Sequence, residues 1–422
     1  MTKSGKHHYA WLVLVVCCAI QAGALGAISN CKGVFYDNIC SDLGLSLGAF
    51  TMQGVFAGIA SAASVPAAMK LLRKFPMHRV LFIACVGYTG TQYLMSFLNA
   101  GLLWWYLIAI VQAVAGAFLL FLPVPIILNR WFVRKRGLAT AVASAFSGLS
   151  SMVLNPIYAA ITEQLGWRVG YRFAALLSFL IMGPLLLFVL RGSPEEKGLL
   201  PYGAEESAPE GTACGGRERL DSHGRLLMTC LVIMAVCVSC GSCFQSHLTK
   251  YGITIGMTLR LSALLPSAAM LGSLIFKAAM GVCSDKLGPN RTALLFFVLI
   301  IIGFALLLFS GKSGFCLYLG SFLCGISMAA NVVLFPLLIA NTLRDYEFDR
   351  YYSYLSMAIS LTGVSAGAAF GFLFDRFHSY TPCFVVLLSM AVMNLIVLVI
   401  MLRAMQKSRH KMERCDSLRV RR

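Results

Sequence analysis

The sequence predicts an all-α membrane protein with twelve transmembrane helices arranged as two six-helix halves. Of its 422 residues, 59% are apolar or aromatic and only 12% are charged, whereas a soluble domain carries about 25% charged residues. Mean hydropathy is +0.78, and the apolar residues form about twelve blocks near the ~20-residue length that a bilayer span requires. These properties exclude a soluble enzyme, a secreted disulfide scaffold and a disordered chain.

The predicted spans follow one another with short connections and one long polar interruption. They lie near residues 9–31, 48–69, 79–99, 102–127, 138–162, 170–190, 226–249, 259–283, 292–311, 315–341, 353–374 and 382–402. The interruption contains Pro194, Pro201 and Pro209. We therefore predict four parts: an N-terminal half (1–190), a cytoplasmic linker (191–224), a C-terminal half (225–402) and a basic tail (403–422).

The distribution of basic residues predicts the orientation of the chain. The net charge is +18, and with a cytoplasmic N-terminus only seven of the 35 Lys and Arg lie on the opposite side. One more, Lys277, lies inside a span, so most basic residues face the cytoplasm, as the positive-inside rule requires. We expect both termini in the cytoplasm, a plasma (inner) membrane location, the lipid bilayer as a partner and no nucleic acid.

Three segments carry a family resemblance. The stretch from Asn129 to Ala139 resembles the entry to the fifth helix in the monocarboxylate transporter and oxalate:formate antiporter branch of the major facilitator superfamily. The stretch from Arg191 to Pro201 is similar to the segment after the sixth helix in bacterial relatives. The stretch from Gly281 to Gly288 resembles the superfamily's loop motif between its eighth and ninth helices. The resemblance implies a carrier that works by alternating access, with a loop motif that controls conformation: Gly281, Asp285, Lys286, Gly288, Arg130, Arg134 and Arg136.

Lys277 is the leading candidate for substrate binding. A cation at mid-membrane costs ~2.5–3.5 kcal/mol on insertion scales, so it must face protein or water. The resemblance aligns Lys277 with an arginine in the eighth helix of the oxalate:formate antiporter, which meets the anionic substrate. The lysine here offers a point charge in place of a bidentate guanidinium group. Ser273 replaces the aspartate of animal monocarboxylate transporters, and the eleventh span lacks the second lysine of the oxalate carrier, which favours a monoanion. The alternative is a structural lysine that snorkels to the interface.

Further polar residues inside or beside the spans extend the candidate site. Lys32 is either a second substrate cation or an interfacial loop charge. Membrane amides bind substrate or a neighbouring helix, and the candidates are Gln21, Asn155, Gln245 and Asn331. His247 is the candidate for proton coupling, because histidine titrates near neutral pH; a structural hydrogen bond is its alternative role.

We predict no metal and no cofactor. Cys237, Cys240, Cys243 and His247 share one side of a helix, but zinc motifs usually place their cysteines on turns, and buried cysteine packs as a small hydrophobe. The sequence favours a monomeric secondary transporter of a small, monocarboxylate-like organic anion. The alternatives are a carrier of a neutral or cationic solute or drug, and a transporter-like receptor that moves nothing. An enzyme is the least favoured class, because the spans contain no acid–base pair.

Overall fold

The computed structural model describes residues 9–99, 101–120, 123–132, 136–202, 222–309, 314–343 and 348–419. Helices account for nearly all of these residues, and the β-type pairing that the described ranges contain is one isolated parallel bridge between Phe132 and Tyr202. The predicted all-α class is confirmed. We call the end of the helices that is rich in Lys and Arg the basic end, and the opposite one the outer end.

The described residues of the first half form six helical rods. The first rod is α1 (Tyr9–Ile20), which continues through a π-helical segment (Gln21–Ile28) into a 3-10 turn (Ser29–Val34). A short helix, α2 (Tyr36–Leu43), follows at the outer end. The other rods are α3 (Leu47–Lys74), α4 (Met77–Met95), α5 (Leu102–Ala117) with α6 (Pro123–Trp131), α7 (Arg136–Leu165), and α8 (Trp167–Pro184) with a π-helical end (Leu185–Val189).

Six further rods come from the described residues of the second half. They are α9 (Ser222–Cys243) with a 3-10 turn (Phe244–His247) and α10 (Leu248–Thr254), α11 (Leu259–Leu287), α12 (Pro289–Phe309), α13 (Gly314–Ala329) with a π-helical segment (Ala330–Leu334) and α14 (Phe335–Thr342), α15 (Phe348–Phe377), and α16 (Thr381–Arg419). Within the described ranges, nine helical stretches are long and apolar enough to cross a bilayer. The twelve rods match the predicted number of spans.

Helix ends follow local sequence signals. The Ser46 hydroxyl accepts the Ala49 backbone N–H at 3.3 Å and so caps the start of α3, as serine commonly does. Gly166 separates α7 from α8 with φ +85°, and Gly288 separates α11 from α12 with φ +80°. Both positions need glycine, because other residues rarely adopt a positive φ.

The chain packs into two compact units that do not coincide with the two halves of the sequence. The first unit contains Met1–Gly211, Ser246–Met270 and Gly367–His378, and the second contains Thr212–Gln245, Leu271–Ala366 and Ser379–Arg422. The outer ends of α11 and α15 therefore pack with the first six rods. The division at residues 190 and 225 stays a prediction.

The first residues of the predicted linker dock onto the basic end of the first unit. The Trp131 indole N–H donates to the Arg191 carbonyl at 3.0 Å, and the Tyr202 backbone N–H donates to the Trp131 carbonyl at 2.9 Å. The Trp11 ring packs edge-on against Phe132 and Tyr202, with centroids 5.6 and 5.7 Å apart. Such aromatic pairs contribute about 0.5–1.5 kcal/mol each beyond their buried area, so these contacts fix residues 191–202 to the first unit.

Candidate functional site

Lys32 lies inside the first unit at the head of a chain of amides. It occupies the 3-10 turn that ends the first rod, where its side chain is half-buried. Its Nζ atom donates to Gln112 Oε1 on α5 at 3.2 Å, and Gln112 Nε2 donates to Gln92 Oε1 on α4 at 2.8 Å. Both glutamines are 2% exposed. The structure thus holds the Lys32 side chain among the helices of the first unit, with a neutral acceptor.

Lys277 lies within the second unit on α11, about 15 Å along the axis from the basic end of that helix. Its side chain is half-buried. The preceding residue, Phe276, packs against the rings of Phe296 and Phe322 at centroid distances of 6.0 and 5.1 Å, which fixes this part of α11. Lys277 makes no hydrogen bond or ion pair with any residue that the structure describes.

The cations at the outer end of the first unit behave differently, because carboxylates neutralise them. Arg168 Nη1 contacts Asp42 Oδ2 at 2.6 Å, and Arg260 Nε contacts Glu163 Oε2 at 2.5 Å. Lys250 pairs with Asp37. These three outer cations are neutralised by carboxylates, whereas no carboxylate among the described residues pairs with Lys32 or Lys277.

A fourth outer carboxylate binds backbone. The two Asp375 oxygens accept the N–H groups of Leu47 at 3.0 Å and Gly48 at 2.6 Å, at the first turn of α3. Anions are favoured there, because the N–H groups of a first helical turn lack partners within the helix. Beside this cap, α15 approaches α3 so closely that a Cβ at Gly371 would lie 2.9 Å from the Gly48 Cα.

The electrostatics of the outer end perturb two groups on α2. Hydrogen bonds from the Trp167 indole N–H at 3.0 Å and from Arg168 hold the pKa of Asp42 below its usual value. Burial raises the pKa of the Cys40 thiol to about 12, although Lys250 opposes the shift. Cys40 is therefore a protonated, packing cysteine at neutral pH.

The four amide residues predicted from the sequence differ in whether their side-chain polar atoms have hydrogen-bond partners. Asn331 joins two helices, since it accepts the Ser239 hydroxyl and donates to the Ser242 hydroxyl, both at 3.3 Å. Gln21 is 8% exposed within the π-helical segment of the first rod. Gln245 Nε2 and both amide atoms of Asn155 are buried without a hydrogen-bond partner among the described residues.

His247 is fully buried in the first unit. Its Nε2 atom lies 3.0 Å from the Gly367 carbonyl oxygen. The Tyr36 and Phe370 rings pack edge-on against the imidazole, at centroid distances of 6.3 and 6.1 Å. The carbonyl contact places a proton on Nε2, because a carbonyl oxygen only accepts.

The predicted loop motif lies at the basic end. Asp285 and Lys286 are exposed on the last turns of α11, after Gly281 and before the positive-φ Gly288. Arg130 ends α6, with its Nη1 3.4 Å from the Gly192 carbonyl oxygen. Arg136 begins α7, and Arg134 lies outside the described residues.

Three polar residues that sequence analysis did not select stand out in the first unit. Gln92 completes the amide chain of Lys32. Tyr158 and Thr162 lie one and two turns after Asn155 on α7, and both hydroxyls are buried without a partner among the described residues. The 3- and 4-residue spacing of positions 155, 158 and 162 was the available signal, because it aligns side chains on one helix face.

The cysteines on α9 are the residues that the sequence analysis weighed as metal ligands. Among the described residues, no group of three His, Cys, Asp or Glu side chains is placed to hold a metal ion. The cysteines of α9 are free thiols. The Cys243 thiol lies 3.4 Å from the Gly363 carbonyl oxygen in the second unit.

Twelve helical rods, with nine helical stretches of the described residues long and apolar enough to cross a bilayer, indicate a multi-pass membrane protein. The sequence profile of the Major Facilitator Superfamily matches residues 18–341 and 254–417. The chain belongs to the major facilitator superfamily, whose members named among its relatives are transporters.

Two relatives that match part of this chain are named monocarboxylate transporters. The chain is 29% identical over 184 residues to monocarboxylate transporter 3 of Rattus norvegicus. That alignment covers 42% of this chain and 34% of the relative. It is 24% identical over 195 residues to monocarboxylate transporter 12 of Mus musculus, in an alignment that covers 40% of this chain and 39% of the relative. These matches span only a third to two fifths of each relative.

Solved structures show the same fold at low sequence identity. The nucleoside transporter NupG has a TM-score of 0.70 at 10% identity, over 93% of this chain and 100% of that chain. The peptide transporter POT has a TM-score of 0.65 at 14% identity, over 94% of both chains. A bacterial homologue of the human lysosomal transporter Spinster has a TM-score of 0.62 at 13% identity, over 95% of this chain and 97% of that chain.

Proposed function

We propose that this protein is a secondary transporter of a small organic anion of the monocarboxylate type. The observation that carries the proposal is the contrast in pairing: intramembrane Lys32 and Lys277 face no carboxylate partner among the described residues, whereas three outer cations do. An intramembrane charge is costly and needs a function or a partner. A carboxylate substrate is a partner that arrives and leaves.

Lys277 is the principal substrate residue in this proposal. A carboxylate ~4 Å from its ammonium group gains on the order of 4 kcal/mol at an effective dielectric of ~20, before the cost of desolvation. No described residue forms a hydrogen bond or ion pair with that ammonium group. The names of the relatives, monocarboxylate transporters, support the same class of substrate.

Lys32 is the second cation. Its contact with Gln112 leaves the charge intact, because an amide oxygen is neutral, and the contact orients the ammonium group. The predicted eleventh span contains no Lys or Arg between residues 353 and 374, so that helix supplies no additional clamp. The absence of a cation from the eleventh span is the reason for which we propose a monoanion and not a dianion.

The remaining candidates have supporting roles in the proposal. Gln245 and Asn155 have unused hydrogen-bonding atoms for substrate, and Gln21 and Asn331 lie beside helical irregularities of the kind that often mark functional sites. His247 is the proton-coupling candidate. The motif resemblance assigns conformational control to the basic-end loops around Asp285. We further propose a monomer in the plasma membrane, with both termini cytoplasmic and alternating access as the mechanism.

The test is counterflow in proteoliposomes. Purified protein is reconstituted, and uptake of labelled lactate, pyruvate, formate and oxalate is measured against unlabelled internal anion, with and without a pH gradient. Saturable exchange of a monoanion is expected. Dependence on the gradient would indicate proton symport, and loss of that dependence in His247→Gln would assign the coupling to His247.

Variants of the two lysines test the site itself. Lys277→Gln is expected to lower the exchange rate at least tenfold with unchanged folding, and Lys277→Arg is expected to retain part of it. Lys32→Gln should also lower the rate, by a smaller factor. Arg291→Gln is the matched control, because Arg291 is an exposed basic residue near the start of α12. Wild-type kinetics in Lys277→Gln, or exchange of neutral solutes without competition by any anion, would overturn the proposal.

A further inference from the structure

An apolar groove opens on the surface of the first unit near its basic end. It is formed by the last turn of α3, the first half of α4 and the second half of α5, and it encloses about 710 Å³. Among the residues that line it, Ile83 is 70% exposed and Val111 is 57% exposed. Gly87 and Ala115 form its floor, where a Cβ added at Gly87 would lie 3.4 Å from the Ala115 Cβ.

A positive charge lies at one end of this groove. Arg79, the third residue of α4, is a lining residue and is exposed. Lys74, the last residue of α3, is also exposed, and its Nζ lies 5.6 Å from the ring centroid of Phe75, another lining residue. The remaining lining residues are apolar or glycine, so the groove has an apolar body and a basic mouth.

Acids are scarce around this mouth, although Glu196 lies near the start of α4: a Cβ at Gly192 would lie 2.9 Å from Glu196 Oε1 and 3.2 Å from the Met77 Cβ. The chain contains no Asp or Glu between Asp42 and Glu163, which includes all of α3, α4 and α5. The described residues place no carboxylate within ion-pair distance of Lys74 or Arg79. The basic mouth is therefore complementary to an anion, and the body is complementary to a hydrocarbon chain.

We propose that the groove binds an anionic phospholipid, with one acyl chain against α4 and α5 and the phosphate at Arg79 and Lys74. An acyl chain suits the walls because they expose branched aliphatic side chains along membrane-crossing helices. The phosphate suits the mouth because basic residues beside an anionic leaflet contribute about 1 kcal/mol each, and guanidinium groups bind phosphate oxygens through paired hydrogen bonds. The proposal depends on the lipid-facing position of the groove and not on the transported substrate.

The experiment measures lipid retention by native mass spectrometry. Full-length protein is purified in detergent, equilibrated with equal amounts of phosphatidylglycerol and phosphatidylcholine, and the retained lipids are counted. Wild-type protein is expected to prefer phosphatidylglycerol. Arg79→Gln should reduce that preference about fivefold, the change that corresponds to ~1 kcal/mol. Arg291→Gln is the control, since Arg291 holds the third position of α12 as Arg79 does of α4.

A second pair of variants tests the apolar body of the groove. Gly87→Leu fills the floor and should reduce retention of both lipids, whereas Gly90→Leu, three residues later on α4 and outside the groove lining, should not. Val114→Trp fills the groove from a side chain that is already 41% exposed, in case Gly87→Leu does not fold. Melting temperature in the same detergent reports folding for every variant.

Three outcomes would overturn the proposal. In the first, the preference of Arg79→Gln for phosphatidylglycerol over phosphatidylcholine equals that of the control Arg291→Gln. In the second, Gly87→Leu and Val114→Trp retain as much lipid as Gly90→Leu. In the third, inorganic phosphate raises the melting temperature as much as phosphatidylglycerol does, which would show that the mouth binds a free anion without use of the groove. Counterflow of organic anions is a separate measurement, so failure here leaves the proposed transport function standing.

Discussion

The outer end and the basic end of the first unit treat charge in opposite ways. At the outer end, Lys250, Arg168 and Arg260 each meet a carboxylate, and Asp375 meets two backbone N–H groups. At the basic end, Lys74 and Arg79 have no carboxylate partner among the described residues. Paired charges hold the polypeptide to itself, whereas unpaired charges remain free to bind something else. Lys250, Arg168 and Arg260 therefore differ from Lys74 and Arg79 in whether a described carboxylate of the chain neutralises them.

The largest loss of stability is expected from a substitution at the close contact between α3 and α15 at the outer end. Gly371→Ala puts a Cβ 2.5 Å from Thr51 Oγ1 and 2.9 Å from the Gly48 Cα, so backbone must move. We expect a loss of about 1–3 kcal/mol, the usual cost of overpacking, measured as a lower melting temperature. Gly367→Ala is the control, because its Cβ meets nothing within 4 Å. Equal melting temperatures would contradict the close approach of α3 and α15.

Removal of the carboxylate cap should have the next largest effect. Asp375→Asn removes the negative charge that accepts the Leu47 and Gly48 N–H groups, and we expect a cost of about 1–2 kcal/mol, because hydrogen bonds to charged groups contribute more than neutral ones. Thermal unfolding in detergent measures it. Asp285→Asn changes an exposed carboxylate at the basic end, and a similar loss in both variants would argue against a special role for the outer cap.

A double-mutant cycle would sharpen the comparison at the half-buried pair of Lys250 and Asp37. Each single variant, Lys250→Gln and Asp37→Asn, leaves a partner charge unmatched, while the double variant removes both charges. We expect a coupling of up to about 1 kcal/mol, since the side chains are 21% and 24% exposed and pairs near the surface are weak. Additive effects of the two single variants on the melting temperature would show that the contact contributes nothing to stability.

The smallest expected effect is a pH dependence at Asp42. The folded-state pKa of this carboxyl is lowered by the Trp167 and Arg168 hydrogen bonds, so its stabilising contribution is present above the unfolded value of ~3.9. The contribution is lost as the pH falls through the folded-state pKa. The difference in melting temperature between wild type and Asp42→Asn should thus be small at pH 7 and vanish in strong acid. A difference that grows on acidification would contradict this assignment.

The sequence was sufficient to predict the membrane class and the number of rods, because both follow from the lengths of apolar blocks. It also located Lys277 within its helix, since a charge within an apolar block is visible without a structure. The contact of Lys32 with Gln112 was not predictable, because nothing in the local pattern specifies which rods lie side by side. The helical position of Lys32 was missed for a related reason: the first rod continues to Val34, past the predicted boundary near residue 31.

The outer charge pairs were the least predictable features. Glu163 and Arg260 are 97 residues apart, Asp37 and Lys250 are 213 apart, and Asp375 reaches Leu47 across 328 residues. Local periodicity carries no information on partners at such separations. Each of these acids resembles an ordinary loop or helix-end charge in the sequence, and only the packing of the first unit identifies its partner.

The π-helical segment of the first rod fits one more residue into the rod than a regular α-helix of the same length would. In a regular α-helix each added or removed residue rotates the chain by about 100°, whereas the wider turn of a π-helical segment absorbs such a residue locally. Deletion of a single residue between Gln21 and Ile28 would therefore convert the segment to regular α-helix and leave Lys32 directed toward Gln112. The segment thus makes the direction of Lys32 tolerant of a one-residue change in the length of the first rod.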